Sequence, residues 1–380
     1  MTSGEIIISN FSFMQISLPQ IIMILLALLL AYLAIVLKYE PLLLLPLAFG
    51  MLIANVPMAG LSAYDEGGLI YYLYKGIDYG IYPPMIFLCI GAMTDFGPLI
   101  ASPKSALIGL GGQLGIFIAL GGALLISYII PGMEPFTLQE AASIGIIGSS
   151  DGPTSIYTTS VLAPHLLPII TISAYSYMAL VPLIQPPIMR FLTTNKERVV
   201  EMPMPKRITR RKKILFAFGI TLATLVLVPE AGTLISMLML GNLIKECGVT
   251  ERYVRTLQNH LLNILTLLIG ISIGATATAD RILNFKTLLI ISLGLFAFAF
   301  GTIGGILIAK LLYKLSGGKV NPLIGNSGVS AMPMAARVSQ RLGQQYNPHN
   351  HLLMHAMGPI VASTIGSAVI AGFLIKLFGG

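Results

Sequence analysis

Charge is scarce in this chain: only 10% of its 380 residues are charged, against 55% hydrophobic, too little charged surface for a water-soluble protein of this size. Cysteine is scarce as well. Cys89 and Cys247 lie far apart with no metal-ligand partners at suitable spacing, so neither a disulfide nor a cysteine-metal centre is implied. Alternating strand patterns are missing and the apolar runs are too long for barrel strands, which excludes an outer-membrane barrel. His165, His349, His351 and His355 show no paired metal spacing, and no phosphate-binding glycine loop is present.

Long apolar runs dominate instead. Leu18 to Leu37 and Ala106 to Ile130 are each long enough to cross a hydrocarbon core of about 30 Å. The first follows an acidic flank without a small-residue cleavage site, so it reads as an anchor and not a removed signal. Crossings are expected at about 19–37, 41–56, 82–100, 105–130 and 166–189, then at about 214–229, 232–246, 260–279, 287–313 and 352–378. Residues 64–80, rich in Tyr and Gly, read as an outer loop or an interfacial helix.

Two interruptions in this apolar sequence share one pattern 180 residues apart, Ile144-Gly145-x-x-Gly148-x-Ser150-x-x-Pro153 and Ile324-Gly325-x-x-Gly328-x-Ser330-x-x-Pro333. Gly91-Ala92 with Gly274-Ala275, Asp95 with Asp280, Gly121-Gly122 with Gly304-Gly305, and Pro164-His165 with Pro348-His349 repeat at nearly the same offset. The expected fold is an all-α integral membrane protein of two inverted repeats, 1–189 and 214–380, of about five crossings each. Each repeat carries one broken, re-entrant helix, and the two tips meet near the midplane. Between them, 190–213 holds nine basic residues and is expected in the cytoplasm. Counting outward from it gives the cytoplasm 19 of the 23 basic residues and leaves both termini outside. The localisation that follows is a multi-pass plasma-membrane protein.

Glycine and proline free backbone groups that hydrocarbon leaves unsatisfied, so paired interruptions point to a binding site between the halves. Only the first tip carries a charge, Asp151, among Ser149, Ser150, Thr154 and open backbone, an all-oxygen set suited to a hard cation. An ionised aspartate at mid-membrane costs about 2.5–3.5 kcal/mol on insertion scales, which a bound cation or proton would remove. Asp151 also suits the N-cap of the returning half-helix, with Pro153 in its first turn. Asn321 and Ser330 offer further oxygens at the second tip, or ordinary capping. Tyr177, near Tyr175 in the next crossing, is a candidate site hydroxyl or a core aromatic. Arg337 offers a fork for a carboxylate or serves as a topology anchor. Asp95 and Asp280 read as helix-end caps.

The stretches Ile144-Gly-Ile-Ile-Gly-Ser-Ser-Asp-Gly-Pro-Thr-Ser-Ile156 and Asn321-Pro-Leu-Ile-Gly-Asn-Ser-Gly-Val-Ser-Ala-Met-Pro-Met-Ala-Ala-Arg-Val-Ser-Gln340 resemble the beta subunit of the sodium-pumping biotin-dependent decarboxylases. Gly91-Ala-Met-Thr-Asp-Phe-Gly-Pro-Leu99 and Leu353-Met-His-Ala-Met-Gly-Pro359 resemble the same family, so the likeness runs from about residue 70 to the C-terminus. That family includes oxaloacetate, methylmalonyl-CoA, glutaconyl-CoA and malonate decarboxylase complexes. The resemblance implies a membrane subunit that decarboxylates carboxybiotin on a carrier protein and exports sodium while consuming a proton. It implies as partners a biotin carrier protein, a carboxyltransferase alpha subunit, a small single-span subunit and further copies of the membrane subunit.

By the same resemblance Asp151 would bind sodium and exchange a proton, and Asn321, Gly325 and Ser330 would belong to the second half of the ion path. Tyr177 would assist, and Arg337 would face the carboxybiotin. Two departures stand out: Ser149-Ser150 replaces an expected Gly-Ala, adding potential ligands, and Ile360 replaces an expected Asn. The rival reading is a secondary cation-coupled carrier with no enzymatic role; a structural anchor for a soluble enzyme is a weaker third.

Overall fold

A computed structural model describes residues 15–38, 40–130, 132 and 134–379; among these the chain is helices and turns without a strand. The expectation for the N-terminal flank, residues 1–14, lies outside the described residues. The first half runs α1 (Leu18–Ile35), α2 (Pro41–Ala54), α3 (Leu69–Asp78), α4 (Tyr82–Met93), α5 (Ala106–Gly112), α6 (Leu114–Ile129), α7 (Leu138–Gly145), α8 (Gly152–Leu162) and α9 (Leu167–Leu192). The second runs α10 (Arg210–Leu227), α11 (Gly232–Cys247), α12 (Glu251–Gly274), α13 (Phe285–Leu315), α14 (Met334–Tyr346) and α15 (Leu353–Phe378).

Five helical stretches are each long and apolar enough to cross a membrane: α1, the joined α5 and α6, α12, α13 and α15. Two bent pairs raise the number to seven, α3 with α4 and the two parts of α9. The chain is therefore a multi-pass membrane protein. The other three expected crossings are helices too, but α2 and α11 have only 14 and 16 residues, and α10 opens on four basic ones. Residues 69–78 form a helix whose Ile70, Tyr74 and Ile77 are buried, the spacing of an amphipathic helix laid on its neighbours.

Two boundaries differ most from the sequence reading. α4 stops at Met93 instead of running to about 100, because Pro98 has no N–H to meet the Thr94 carbonyl. That carbonyl accepts from Asn242 Nδ2 at 3.1 Å and Lys245 Nζ at 3.0 Å. α12 begins at Glu251, nine residues before the expected 260, because its charged first turn continues the helix beyond the apolar run.

Glycines set the closest helix contacts. A Cβ on Gly91 of α4 would lie 1.9 Å from the Leu238 carbonyl oxygen of α11, and one on Gly241 of α11 would lie 2.0 Å from that of Leu88. At the crossing of α2 with α12, a Cβ on Gly50 would lie 2.3 Å from the Ile271 oxygen and one on Gly274 2.0 Å from the Leu47 oxygen. Backbones meet this closely in membranes where no side chain intervenes. A buried asparagine closes each pair. Asn55 donates to the Met51 and Ala277 carbonyls at 2.8 Å and accepts from Ala279 N at 3.0 Å. Asn242 makes the corresponding bond to Thr94.

The basic stretch after α9 is more than a solvated tether at its start. Arg198, 7% exposed, donates to Thr193 Oγ1, Asn195 Oδ1 and the Tyr346 hydroxyl, and to the carbonyls of Arg190 and Thr193. Its own carbonyl accepts from Asn321 and Asn350, so 190–201 is fastened to the second interrupted segment. Asp95, expected as a cap, accepts from Gly97 N and also from Lys213 Nζ at 2.7 Å. Burial opposes its ionisation, but the Lys213 ammonium and the Gly97 N–H prevail and hold the carboxyl below its usual range.

Candidate functional site

Both interruptions are broken helices. In the first, α7 starts on a capping box of Thr137 and Glu140, tightens into a 3-10 turn over Ile146–Ser149, and breaks at Ser150, whose φ of 56° is left-handed. Asp151 then caps α8, its Oδ1 accepting from Thr154 N at 3.3 Å, with Pro153 in the first turn as the sequence suggests. In the second, a 3-10 turn over Pro322–Gly328 leads through extended backbone to α14. Glycine again permits the approach. A Cβ on Gly112, the last residue of α5, would lie 1.7 Å from the Gly328 oxygen, and one on Gly148 would lie 2.3 Å from the Gly115 carbonyl carbon.

The two tips touch directly, Ser330 N donating to the Ser149 oxygen at 3.0 Å. Asp151 lies at this junction, 5% exposed. Its Oδ2 accepts from Ser367 Oγ of α15 at 2.9 Å, and its own N–H donates to Ser149 Oγ at 3.3 Å. Among the described residues no Lys, Arg or His pairs with it. A buried carboxyl surrounded by neutral donors alone lacks the counter-charge its ionised form needs.

One turn along α15 the polar cluster continues. Ser330 Oγ donates to Ser363 Oγ at 3.0 Å, and Gln113 Nε2 reaches the same oxygen at 2.9 Å. Among the described residues Ser150 Oγ and Gln113 Oε1 are buried with no hydrogen-bond partner, oxygens left open in this polar cluster. Ser150, Asp151 and Ser330 thus come together, joined by Gln113, Ser363 and Ser367, which the sequence reading did not single out. Ser363 and Ser367 are four apart on one face of α15, and Gln113 is the one side-chain amide in the Ala106–Ile130 run. Those were the available signals.

Other expected residues lie elsewhere. Asn321 points to the linker: its Nδ2 donates to the carbonyls of Arg198 at 3.0 Å and Val200 at 2.8 Å, and its Oδ1 accepts from Leu323 N at 2.9 Å. Tyr177 donates to the Ile291 carbonyl of α13 and packs over Gly294. Its neighbour Tyr175 instead lies on the first tip, where a Cβ on Gly152 would fall 2.4 Å from the tyrosine ring. Gly325 presses its backbone on Gly305 and Ile306 of α13. The buried Asn326 beside it exchanges bonds with Gln185 of α9, donating at 2.8 Å and accepting at 3.0 Å.

Arg337 is exposed near the start of α14, with no carboxylate in contact among the described residues. Its charge is felt by the carboxyl of Glu40, before α2. Burial lifts the Glu40 carboxyl above its usual range, and the Arg337 guanidinium pulls against that lift. Ile360 is fully buried in the apolar cluster under the second tip.

Comparison with known proteins gives one consistent picture. A family model described as the Na+-transporting oxaloacetate decarboxylase beta subunit matches residues 19–378. The methylmalonyl-CoA decarboxylase subunit beta of Propionigenium modestum is 51% identical over 389 residues, covering 97% of each chain. The glutaconyl-CoA decarboxylase subunit beta of Acidaminococcus fermentans is 49% identical over 374 residues, covering 98% of this chain and 97% of the relative. The oxaloacetate decarboxylase beta chain of Klebsiella pneumoniae is 45% identical over 430 residues, covering 99% of each.

Proposed function

This chain belongs to the family of Na+-transporting oxaloacetate decarboxylase beta subunits, and from that premise we propose that Asp151 is the carboxylate at which sodium and a proton exchange. The protein is the membrane subunit of a sodium-pumping decarboxylase. The observation that carries the site assignment is the isolation of Asp151: among the described residues its buried carboxyl accepts from the Ser367 hydroxyl and the Thr154 N–H and meets no cation. Sodium is the cargo and would take oxygens from Asp151, Ser150, Ser330 and Gln113. Bound there, it supplies the counter-charge; when it leaves, a proton does the same. Asn321 and Gly325 act on the path indirectly, Asn321 by pinning the second tip to the linker and Gly325 by seating it on α13.

The chemical half is the loss of carbon dioxide from carboxybiotin held on a carrier protein. The bond between the ureido nitrogen and the carboxyl carbon breaks, carbon dioxide leaves, and the nitrogen keeps the electron pair and takes one proton. Arg337, an exposed unpaired fork on the linker side of the site, is the group suited to receive the carboxylate. Tyr175, lying on the first tip, is better situated than Tyr177 to assist there.

Two inverted repeats, 1–189 and 214–380, account for the paired glycine crossings. Gly50 with Gly274 and Gly241 with Gly91 are then images of each other, as are Asn55 and Asn242. In this arrangement the 190–213 linker faces the cytoplasm, both termini lie outside and the tips meet near the midplane. The partners are a biotin carrier protein, a carboxyltransferase alpha subunit, a small single-span subunit and further copies of this chain. A secondary cation carrier could share the architecture, but decarboxylase relatives matched over nearly their whole length do not favour it.

The test is carbon dioxide release and sodium uptake by the complete complex in inverted vesicles, with Asp151→Asn beside the parent. The variant is expected to lose sodium-stimulated release and uptake while still carboxylating the biotin carrier. Sodium-stimulated release by Asp151→Asn would remove Asp151 from the centre of the mechanism.

A further inference from the structure

Where the linker crosses the ends of three spans, it roofs a cavity of about 420 Å³ that lies apart from the Asp151 junction. Lys104 before α5, Lys206 of the linker and Lys319 after α13 stand around it, with His355 of α15 in its wall. The remaining wall is mainly apolar, and among the described residues no acidic one lines it. All three lysines are exposed, and no ion pair among the described residues includes them. The nearest linker carboxylates are already engaged, Glu197 with Lys310 at 3.6 Å and Glu201 with Asn347 Nδ2 at 2.7 Å.

Two further observations indicate an amphiphilic occupant. His355 is anchored by a hydrogen bond to the Met202 backbone, yet its Nε2 is buried without a partner among the described residues, a polar atom left unsatisfied in the cavity wall. Leu107 and Leu315 on the rim are 48% and 75% exposed at the ends of helices that cross the membrane, so the cavity opens toward hydrocarbon. Three unpaired cations beside an apolar wall, at the level where spans end, attract an anion that carries a hydrocarbon tail.

We propose that this cavity binds the phosphate headgroup of an anionic phospholipid, its acyl chain running along Leu107 and Leu315. The lipid would join the linker to the ends of α5, α13 and α15. Inorganic phosphate shares the headgroup's chemistry but makes no use of the apolar wall, so the two sources are separable.

The complete complex, purified in detergent, is titrated with phosphatidylglycerol or phosphatidylcholine and the bound lipid is counted by native mass spectrometry. The parent is compared with Lys104→Gln/Lys206→Gln/Lys319→Gln and with a control, Lys196→Gln/Arg211→Gln/Lys212→Gln, which removes three exposed basic residues of the same linker outside the cavity. Each cavity lysine is expected to contribute about fivefold, so the triple variant should bind phosphatidylglycerol about a hundredfold more weakly while the control matches the parent. Equal loss in both variants would reduce the effect to general attraction and overturn the site. So would equal retention by the cavity variant and the parent, no preference for phosphatidylglycerol over phosphatidylcholine, or full displacement of the lipid by millimolar inorganic phosphate.

Discussion

Deleting one hydroxyl tests the site more sharply than deleting the carboxylate. Ser367 Oγ donates to Asp151 Oδ2 at 2.9 Å in a buried setting, and among the described residues no other side chain is bonded to that oxygen. Hydrogen bonds to charged groups contribute about 1.5–3 kcal/mol, whereas side-chain bonds inside membrane proteins average about 0.6 kcal/mol. The bond favours the ionised carboxylate, the form proposed to bind sodium. Ser367→Ala should therefore raise the sodium concentration for half-maximal decarboxylation by about threefold at the lower energy and about 150-fold at the upper. The upper part of the range is expected, because alanine leaves a buried charged oxygen without its donor. Turnover at saturating sodium should stay within a few fold of the parent. The assay is the sodium dependence of carbon dioxide release by the reconstituted complex, with Ser367→Thr as the variant that keeps the hydroxyl. A half-saturating sodium concentration within twofold of the parent, in folded Ser367→Ala protein, would refute the reasoning.

Ser150→Gly separates ligand from backbone: relieving a left-handed serine should raise thermal stability by about 1 kcal/mol, while losing the open Oγ should raise the half-saturating sodium concentration. Unchanged sodium dependence would drop Ser150 from the ion shell. Gly241→Val puts a branched side chain where even a Cβ lies 2.0 Å from the Leu88 oxygen, so α4 and α11 must separate; loss of the monodisperse peak in size-exclusion chromatography is expected, and a parent-like melting temperature would contradict the crossing. Asp95→Asn tests the Lys213 pair through pH. Because the folded carboxyl titrates below its ordinary value of 3.8, the pair stabilises fully above that value and loses its effect as pH falls through the lower folded one. The Asp95 side chain is 42% exposed, so the loss at neutral pH should be under about 1 kcal/mol. A melting difference as large at pH about 3 as at neutrality would rule the pair out as its source.

How much of this was legible depends on what kind of signal each residue carries. The long apolar runs fixed α1, α13 and α15 to within a few residues, since hydrocarbon thickness sets span length. The tips were legible because glycine, proline and an acid are unusual company inside apolar sequence. Partners were harder to read. Asn321 looks equally suited to an ion or a cap, and only the linker folded over it shows its amide spent on Arg198 and Val200. Tyr175 and Tyr177 differ by two positions, which on a helix places them about 200° apart, and the sequence alone could not say which face met the tip. Ser363 and Ser367 were hidden in a small-residue membrane helix, where serine is as ordinary as alanine.

The bonds of the second tip constrain any movement that opens Asp151 first to one side and then to the other. Asn326 is tied to Gln185 of α9, Ser330 to Ser149 and Ser363, and Asn321 to the linker, so each anchor but Ser363 belongs to a segment before α10. Gly112 with Gly328 and Gly148 with Gly115 add backbone contacts that leave no room for sliding. Pulling the tips apart would break the Ser330 to Ser149 bond and open the close-packed glycine contacts together. Moving both tips as one body with α5, α6, α9, α13, α15 and the start of the linker breaks none of these bonds or contacts. A change of access coupled to sodium therefore costs least where it leaves this junction whole, and the energy that drives it must come from a ligand bound differently in the two states. The sodium proposed at Asp151 and the carboxylated carrier proposed at the linker face can supply that difference only if both bear on the same body, and the bonds from Asn321 to Arg198 and Val200 are contacts by which the linker reaches it.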